Sequence, residues 1–205
     1  IFERVLPGAD RMYPDTDSAP IPLEDEYIES LKANLPKDVI DNYKQLKKWE
    51  VPEEAFTYIF SKNLFPVIEK IITDLDVTPS YIGTFFGHEV KFAENHFKGP
   101  DKLDYNRVYK LFSFLNKRGI KHELAENMLQ EMIEHPQMDF DSILTSIGFK
   151  KYSKETIISK IPLLVEKFSE GKKEISQADK QDWVMGKLRS IAIGNISLTE
   201  LSKEI

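Results

Sequence analysis

From about Glu24 onward, apolar positions recur every three or four residues, the period of helices that bury one face. No run alternates in the manner of a strand, apart from the short Phe2–Leu6. Thr78 and Pro79 read as an N-cap and a first helical residue. The helix they open carries Ile82, Phe86, Val90, Ala93 and Phe97 on one face and stops at Gly99-Pro100. Pro36 and Pro52 read the same way, each followed by acidic residues that suit a helix start. Asp104 caps the next helix, whose stripe is Tyr105, Val108, Tyr109, Phe112 and Leu115, and Gly119 ends it. A third turns Leu124, Met128 and Met132 inward and ends at His135-Pro136.

Shorter units follow. Asp139–Ser146 is closed by Gly148, and Ser153–Ser169 is closed by Gly171 with Pro162 kinking or splitting it. A longer helix over 177–193 stops at Gly194, and Ser197 with Glu200 has the spacing of a capping box for the last one. Residues 1–22 hold four of the eleven prolines (Pro7, Pro14, Pro20 and Pro22) and read as extended or turning. The predicted class is all-α: an extended leader over 1–23, a helical domain over 24–136 and a smaller helical tail over 137–205, with the boundary at His135–Asp139.

Composition sharpens this picture in three places. No stretch approaches the roughly 18 to 20 consecutive apolar residues of a membrane span, and no secretory signal is visible. There is no cysteine, which excludes disulfides and thiolate metal sites and points to a reducing cytoplasm. The four histidines (His88, His96, His122 and His135) lack zinc-site spacing and read as surface or cap residues. The chain opens on Ile1, in mid-phrase, which suggests a missing upstream part. Its net charge of −6 is unevenly spread. Residues 1–100 hold 11 Lys+Arg against 18 Asp+Glu, and residues 148–205 hold 11 against 8. The acidic part is therefore N-terminal and the mildly basic part C-terminal.

The most distinctive phrase is RVLPGADRMYPDTD, from Arg4 to Asp17. Asp10, Asp15 and Asp17 offer oxygens to a hard cation, but the phrase lacks an EF-hand's central glycine and distal glutamate, and Asp with Pro is ordinary turn chemistry. No Gly-rich phosphate loop and no Ser-Lys or Thr-Lys amidase constellation occurs, so the chain offers no catalytic residues and no metal ligands of its own.

PGADRMYPDTD resembles the segment that closes the catalytic cradle of GatE-type subunits of glutamyl-tRNA(Gln) amidotransferase; it matches the cognate GatB phrase, with its Tyr-Arg-Tyr-Phe-Pro core, less well. At the other end, DWVMGKLR (182–189) followed by GNISLTEL (194–201) resembles the last two helices of the YqeY-like tail of GatE and GatB. Cradle exit, helical domain and tail, in that order, cover essentially the whole chain. The resemblance implies a part of an ATP-dependent ligase that converts Glu-tRNA(Gln) to Gln-tRNA(Gln). Its ATP and Mg²⁺ would sit in the upstream cradle, and its partners would be tRNA(Gln) and a glutaminase or amidase subunit, with no DNA and no membrane. By that reading the chain holds tRNA and is not catalytic alone.

The residues that would do so are Lys150, Lys151 and Lys154 at a helix start, and Lys180, Gly186, Lys187 and Arg189 on the long tail helix. Lys180 and Lys187, seven apart, share a face, whereas Arg189 lies about 200° from Lys187. Gly186 leaves a gap where a backbone can approach. Where the family usually has a lysine after the glycine, this chain has Asn195, which weakens or moves a phosphate contact at that turn. A solvated surface accounts for the same lysines. Phe85, Phe86, Tyr105, Tyr109 and Phe112 have the spacing of core residues rather than of base-stacking ones. Two alternatives stay open: a helical interaction module that docks a partner subunit without RNA, and a hydrolase built on Asp10, Asp15 and Asp17.

Overall fold

The computed structural model describes residues 22–35, 38–100, 102–169 and 176–205, in two compact units, Ile1–Asp38 and Val39–Ile205. The Phe2–Leu6 run, the Asp10/Asp15/Asp17 cluster, Pro36 and Gly171 lie outside the described residues. No strand occurs among the described residues, so the all-α expectation holds there. Nor is any described helix long and apolar enough to cross a membrane.

The described part of the first unit is one helix, α1 (Asp25–Ala33), with Asp25 and Glu26 in its first turn, Lys32 in its last and no buried residue. The second unit begins with α2 (Val39–Lys48), α3 (Glu53–Ser61) and α4 (Phe65–Leu75). Pro52 is the residue before α3, one position earlier than its sequence reading. The helix that Thr78 precedes runs from α5 (Pro79–Thr84) through a π-helical stretch at Phe85–Val90 into α6 (Lys91–His96). Thr78 holds the N-cap position without a side-chain cap bond. The π-helical stretch lies where the helix presses on α3: a Cβ on Gly87 would stand 2.3 Å from the Ala55 Cβ, and one on Gly83 2.3 Å from a Val51 methyl.

Next come α7 (Tyr105–Arg118), a 3₁₀ turn at His122–Leu124, α8 (Ala125–Glu134) and α9 (Phe140–Ser146). Asp104 caps α7 by accepting from the Asn106 N–H, and Asp139 caps α9 by accepting from the Ser142 N–H, each at 2.9 Å. Gly119 and Gly148 end their helices with φ of 61° and 68°.

These helices surround one core. Phe85, Phe86 and Phe112 are fully buried in it, Phe85 and Phe112 meeting edge-to-face at 5.1 Å, and Ile143 of α9 belongs to it too. Tyr105 and Tyr109 depart from the expected core role. Both are half-buried, because their hydroxyls reach out to Glu94 (2.8 Å) and Asp74 (3.0 Å).

A second buried cluster gathers Ile157, Ile161, Val184, Leu188, Ala192, Ile196 and Leu201. It is built by α10 (Lys154–Ile158), α11 (Ile161–Ser169), α12 (Gln177–Ala192) and α13 (Leu198–Glu204). The split expected near Pro162 falls between α10 and α11. It leaves the proline in the first turn of α11, where its missing N–H forfeits no helical bond. The capping box does not form. Ser197 is the N-cap of α13 but makes no side-chain cap bond, and Glu200 turns instead to Lys154, 2.5 Å away. A cation within reach holds the carboxylate better than a neutral backbone N–H does.

Candidate nucleic-acid interface

The long helix α12 divides its residues by period. Val184, Leu188 and Ala192, four apart, are buried in the second cluster. Lys180, Trp183 and Lys187 fall within about 60° of one another on another face, and Gly186 lies about 60° further round. The Lys187 ammonium stands 5.4 Å from the centre of the half-exposed Trp183 ring, which packs at 5.4 Å on Phe168. Around Gly186 there is open space: an added Cβ would meet nothing within 4 Å. The result is a cationic stripe with an aromatic plate and a gap at its side.

Arg189 points elsewhere, as its phase requires. It lies 3.8 Å from Glu126 on α8. Burial raises the pKa of the Glu126 carboxyl, Glu89 adds to the effect, and Arg189 opposes it.

The segment before α10 is fastened by Asn195. Its Oδ1 accepts from the Tyr152 N–H at 3.0 Å, and its Nδ2 donates to the carbonyls of Lys150 (2.9 Å) and Ile191 (3.0 Å). Beside it, Gly194 has φ of 81°, and its carbonyl accepts from the Lys121 N–H at 2.8 Å. A Cβ at Gly194 would come within 2.8 Å of the Phe149 ring, so this turn needs glycine for its conformation and for its packing. Asn195 is thus a clasp joining the end of α12 to the 150–152 backbone.

The three lysines of that segment have different surroundings. Lys151 donates to the Arg118 carbonyl at 2.8 Å. Lys154 is shared by Glu200 at 2.5 Å and Glu204 at 3.4 Å; the hydrogen bond to Glu200 raises the lysine's pKa and lowers the glutamate's. One of the first N–H groups of α10 is met from within, since the Ser153 hydroxyl accepts from the Thr156 N–H at 3.2 Å. Lys150 is exposed. Sequence spacing brought out Lys180 and Lys187 together; Trp183 shares their face by phase, but a tryptophan in an amphipathic helix reads equally well as core.

No protein-family model matches the chain, and no solved structure matches it significantly. Curated proteins do. The E-type subunit of glutamyl-tRNA(Gln) amidotransferase from Methanocaldococcus jannaschii is 30% identical over 158 residues, covering 76% of this chain and 25% of that protein. The same subunit from Methanococcus maripaludis and from Methanosarcina barkeri is 26% and 25% identical, each match covering 100% of this chain and 33% of the relative. The chain is a relative of GatE. It spans about a quarter to a third of the length of these relatives.

Within this GatE relative the Asn195 clasp has a measurable consequence. Asn195→Ala removes all three bonds and leaves the half-buried Tyr152 N–H unpaired, a loss of about 1–3 kcal/mol. Asn195→Lys fares no better, because an ammonium cannot accept from an N–H. Urea denaturation of the two variants reports the loss as a lowered midpoint with unchanged slope; midpoints equal to that of the parent chain contradict it.

Proposed function

We propose that this chain is the tRNA-holding, C-terminal part of a tRNA-dependent amidotransferase subunit that acts on misacylated Glu-tRNA(Gln). In this reading residues 137–205 are its YqeY-like tail, a glutaminase or amidase subunit is its partner, and the enzyme works in the cytoplasm. The ATP- and Mg²⁺-using cradle belongs to the part of the protein upstream. The observation that carries the reading is the stripe of Lys180, Trp183 and Lys187 on α12, flanked by the gap at Gly186, on a chain related along its whole length to GatE. Lys150 and Lys151 extend the cationic surface; Lys154, held by two glutamates, and Arg189, beside Glu126, contribute less. Such a surface addresses phosphates rather than base edges.

Filter binding of tRNA at low and moderate salt tests this. Lys150→Glu/Lys151→Glu/Lys187→Glu is expected to weaken binding about tenfold or more at low salt, to a similar degree for different tRNAs. Each lost phosphate contact lowers the salt slope by roughly 0.7 to 0.9. Lys154 is left unchanged, because a glutamate there would face Glu200 and Glu204 and confound binding with folding. Equal affinities and equal slopes would sink the RNA reading.

A second reading, docking of a partner subunit without RNA, has its own observation. Of the nine large apolar residues exposed among those described, four (Leu23, Tyr27, Leu31 and Leu35) lie in the short described part of the first unit. An apolar contact there survives salt that strips tRNA from the tail.

A further inference from the structure

Four lysines, Lys62, Lys91, Lys98 and Lys102, converge on one cleft of about 850 Å³ in the second unit, where α3 and α6 meet the segment leading to α7. The surrounding half of the sequence is acidic, so this local excess of cations runs against the regional charge. Among the described residues no carboxylate pairs with Lys91, Lys98 or Lys102, while Lys62 lies 3.6 Å from Glu94.

Glu94 itself is well occupied. It accepts from the hydroxyls of Tyr58 and, at 2.8 Å, Tyr105, and its side chain is only 18% exposed. Its charge is thereby spread over two donors and one lysine at the wall of the cleft, which leaves the other three lysines uncompensated among the described residues. Asn95 adds an amide at the rim. The close approach of Gly99 to α8, where a Cβ would stand 1.9 Å from the Ile133 carbonyl oxygen, fixes the backbone beside Lys98.

We propose that this cleft binds a phosphate group, carried by a free polyphosphate-bearing molecule or by an RNA backbone. The lysines that line this concave site supply charge-assisted donors to such an anion. The site is separate from the α12 stripe; with a free phosphate ligand it goes beyond the tRNA-holding role proposed above, and with an RNA phosphate it rests on that role and adds a second contact to it.

The test titrates the 205-residue chain with inorganic pyrophosphate at constant ionic strength, following backbone amides by ¹H–¹⁵N correlation spectra. Saturable shifts centred on Asn95, Gly99 and Lys102 are expected. Lys91→Gln/Lys98→Gln/Lys102→Gln should weaken pyrophosphate binding about tenfold or more, with the remaining spectrum preserved because these residues are exposed. Glu94→Gln, which keeps an oxygen to accept from one tyrosine hydroxyl and offers an N–H to the other, should act in the opposite direction and strengthen binding about threefold. Lys150→Glu/Lys151→Glu should leave it unchanged, which separates this site from the tail. An unstructured RNA oligonucleotide that displaces pyrophosphate assigns the source to RNA; one that leaves it bound assigns a free phosphate ligand, and both results support the site. Absence of saturable shifts, or an unaltered affinity in the triple variant, overturns it.

Discussion

Replacing Arg107 by Met is expected to lower the stability of the 39–205 unit by about 2–4 kcal/mol, the scale of losing charge-assisted bonds and stranding their acceptors. The guanidinium of Arg107 leaves α7 and reaches three carbonyls where α8 ends and α9 has yet to begin. It donates to Met132 at 3.1 Å, to His135 at 3.4 Å and to Met138, and it lies 5.7 Å over the Phe140 ring. Burial pulls its pKa down from the ordinary arginine value, so part of its hydration has been exchanged for these carbonyls. Met fills much of the same volume but donates nothing. Arg107→Lys keeps the charge yet cannot fork across three acceptors, so it should recover less than half of the loss. Thermal unfolding should show the Met variant melting roughly 5–15 °C lower. A shift of only a degree or two would mean that water replaces the guanidinium at no penalty.

Gly87→Ala should destabilise by a similar amount, about 3 kcal/mol, at the upper end of overpacking penalties. The added methyl would stand 2.3 Å from the Ala55 Cβ and 3.1 Å from its Cα, so α3 and the π-helical stretch must move apart and open the aromatic core beside them. Gly83→Ala meets both methyls of the buried, β-branched Val51, at 2.3 and 2.8 Å, and should cost a comparable amount. Gly186→Ala is expected to have the opposite sign. It meets nothing within 4 Å in a helix interior, and should stabilise by about 0.5–1 kcal/mol through helix propensity alone. Denaturant midpoints of the three variants, measured side by side, give the ordering; Gly87→Ala as stable as the parent chain would contradict the close crossing of the two helices.

The α12 stripe and the Lys62–Lys102 cleft differ in how the chain encodes them. Lys180 and Lys187 are joined by helical phase, which the spacing of seven states outright. The four cleft lysines come from the turn that ends α3, from α6 and from the segment after it, and nothing in their spacing gathers them. Trp183 falls between these cases, on the right face by phase but assigned to the surface only by what packs against it.

Helix limits were legible in the chain alone. Asp104, Asp139 and Ser153 cap, and Gly119, Gly148 and Gly194 stop, because a cap needs only neighbours two or three residues away and a left-handed residue only its own backbone. Phase likewise put Phe86, Phe112, Met128 and Met132 inside. Which charges stay available was decided only by the packing of the helices. Lys154 and Glu200 meet across 46 positions and cancel both a phosphate ligand and a capping box, Arg189 goes to Glu126, and Asn195 becomes a clasp. Packing also turned Gly83 and Gly87, helix weakeners by propensity, into the contact that lets two helices touch. The physical reason is range: caps and phases are settled within a turn or two of chain, whereas a side chain's partner is whatever distant helix comes within about 3 Å of it.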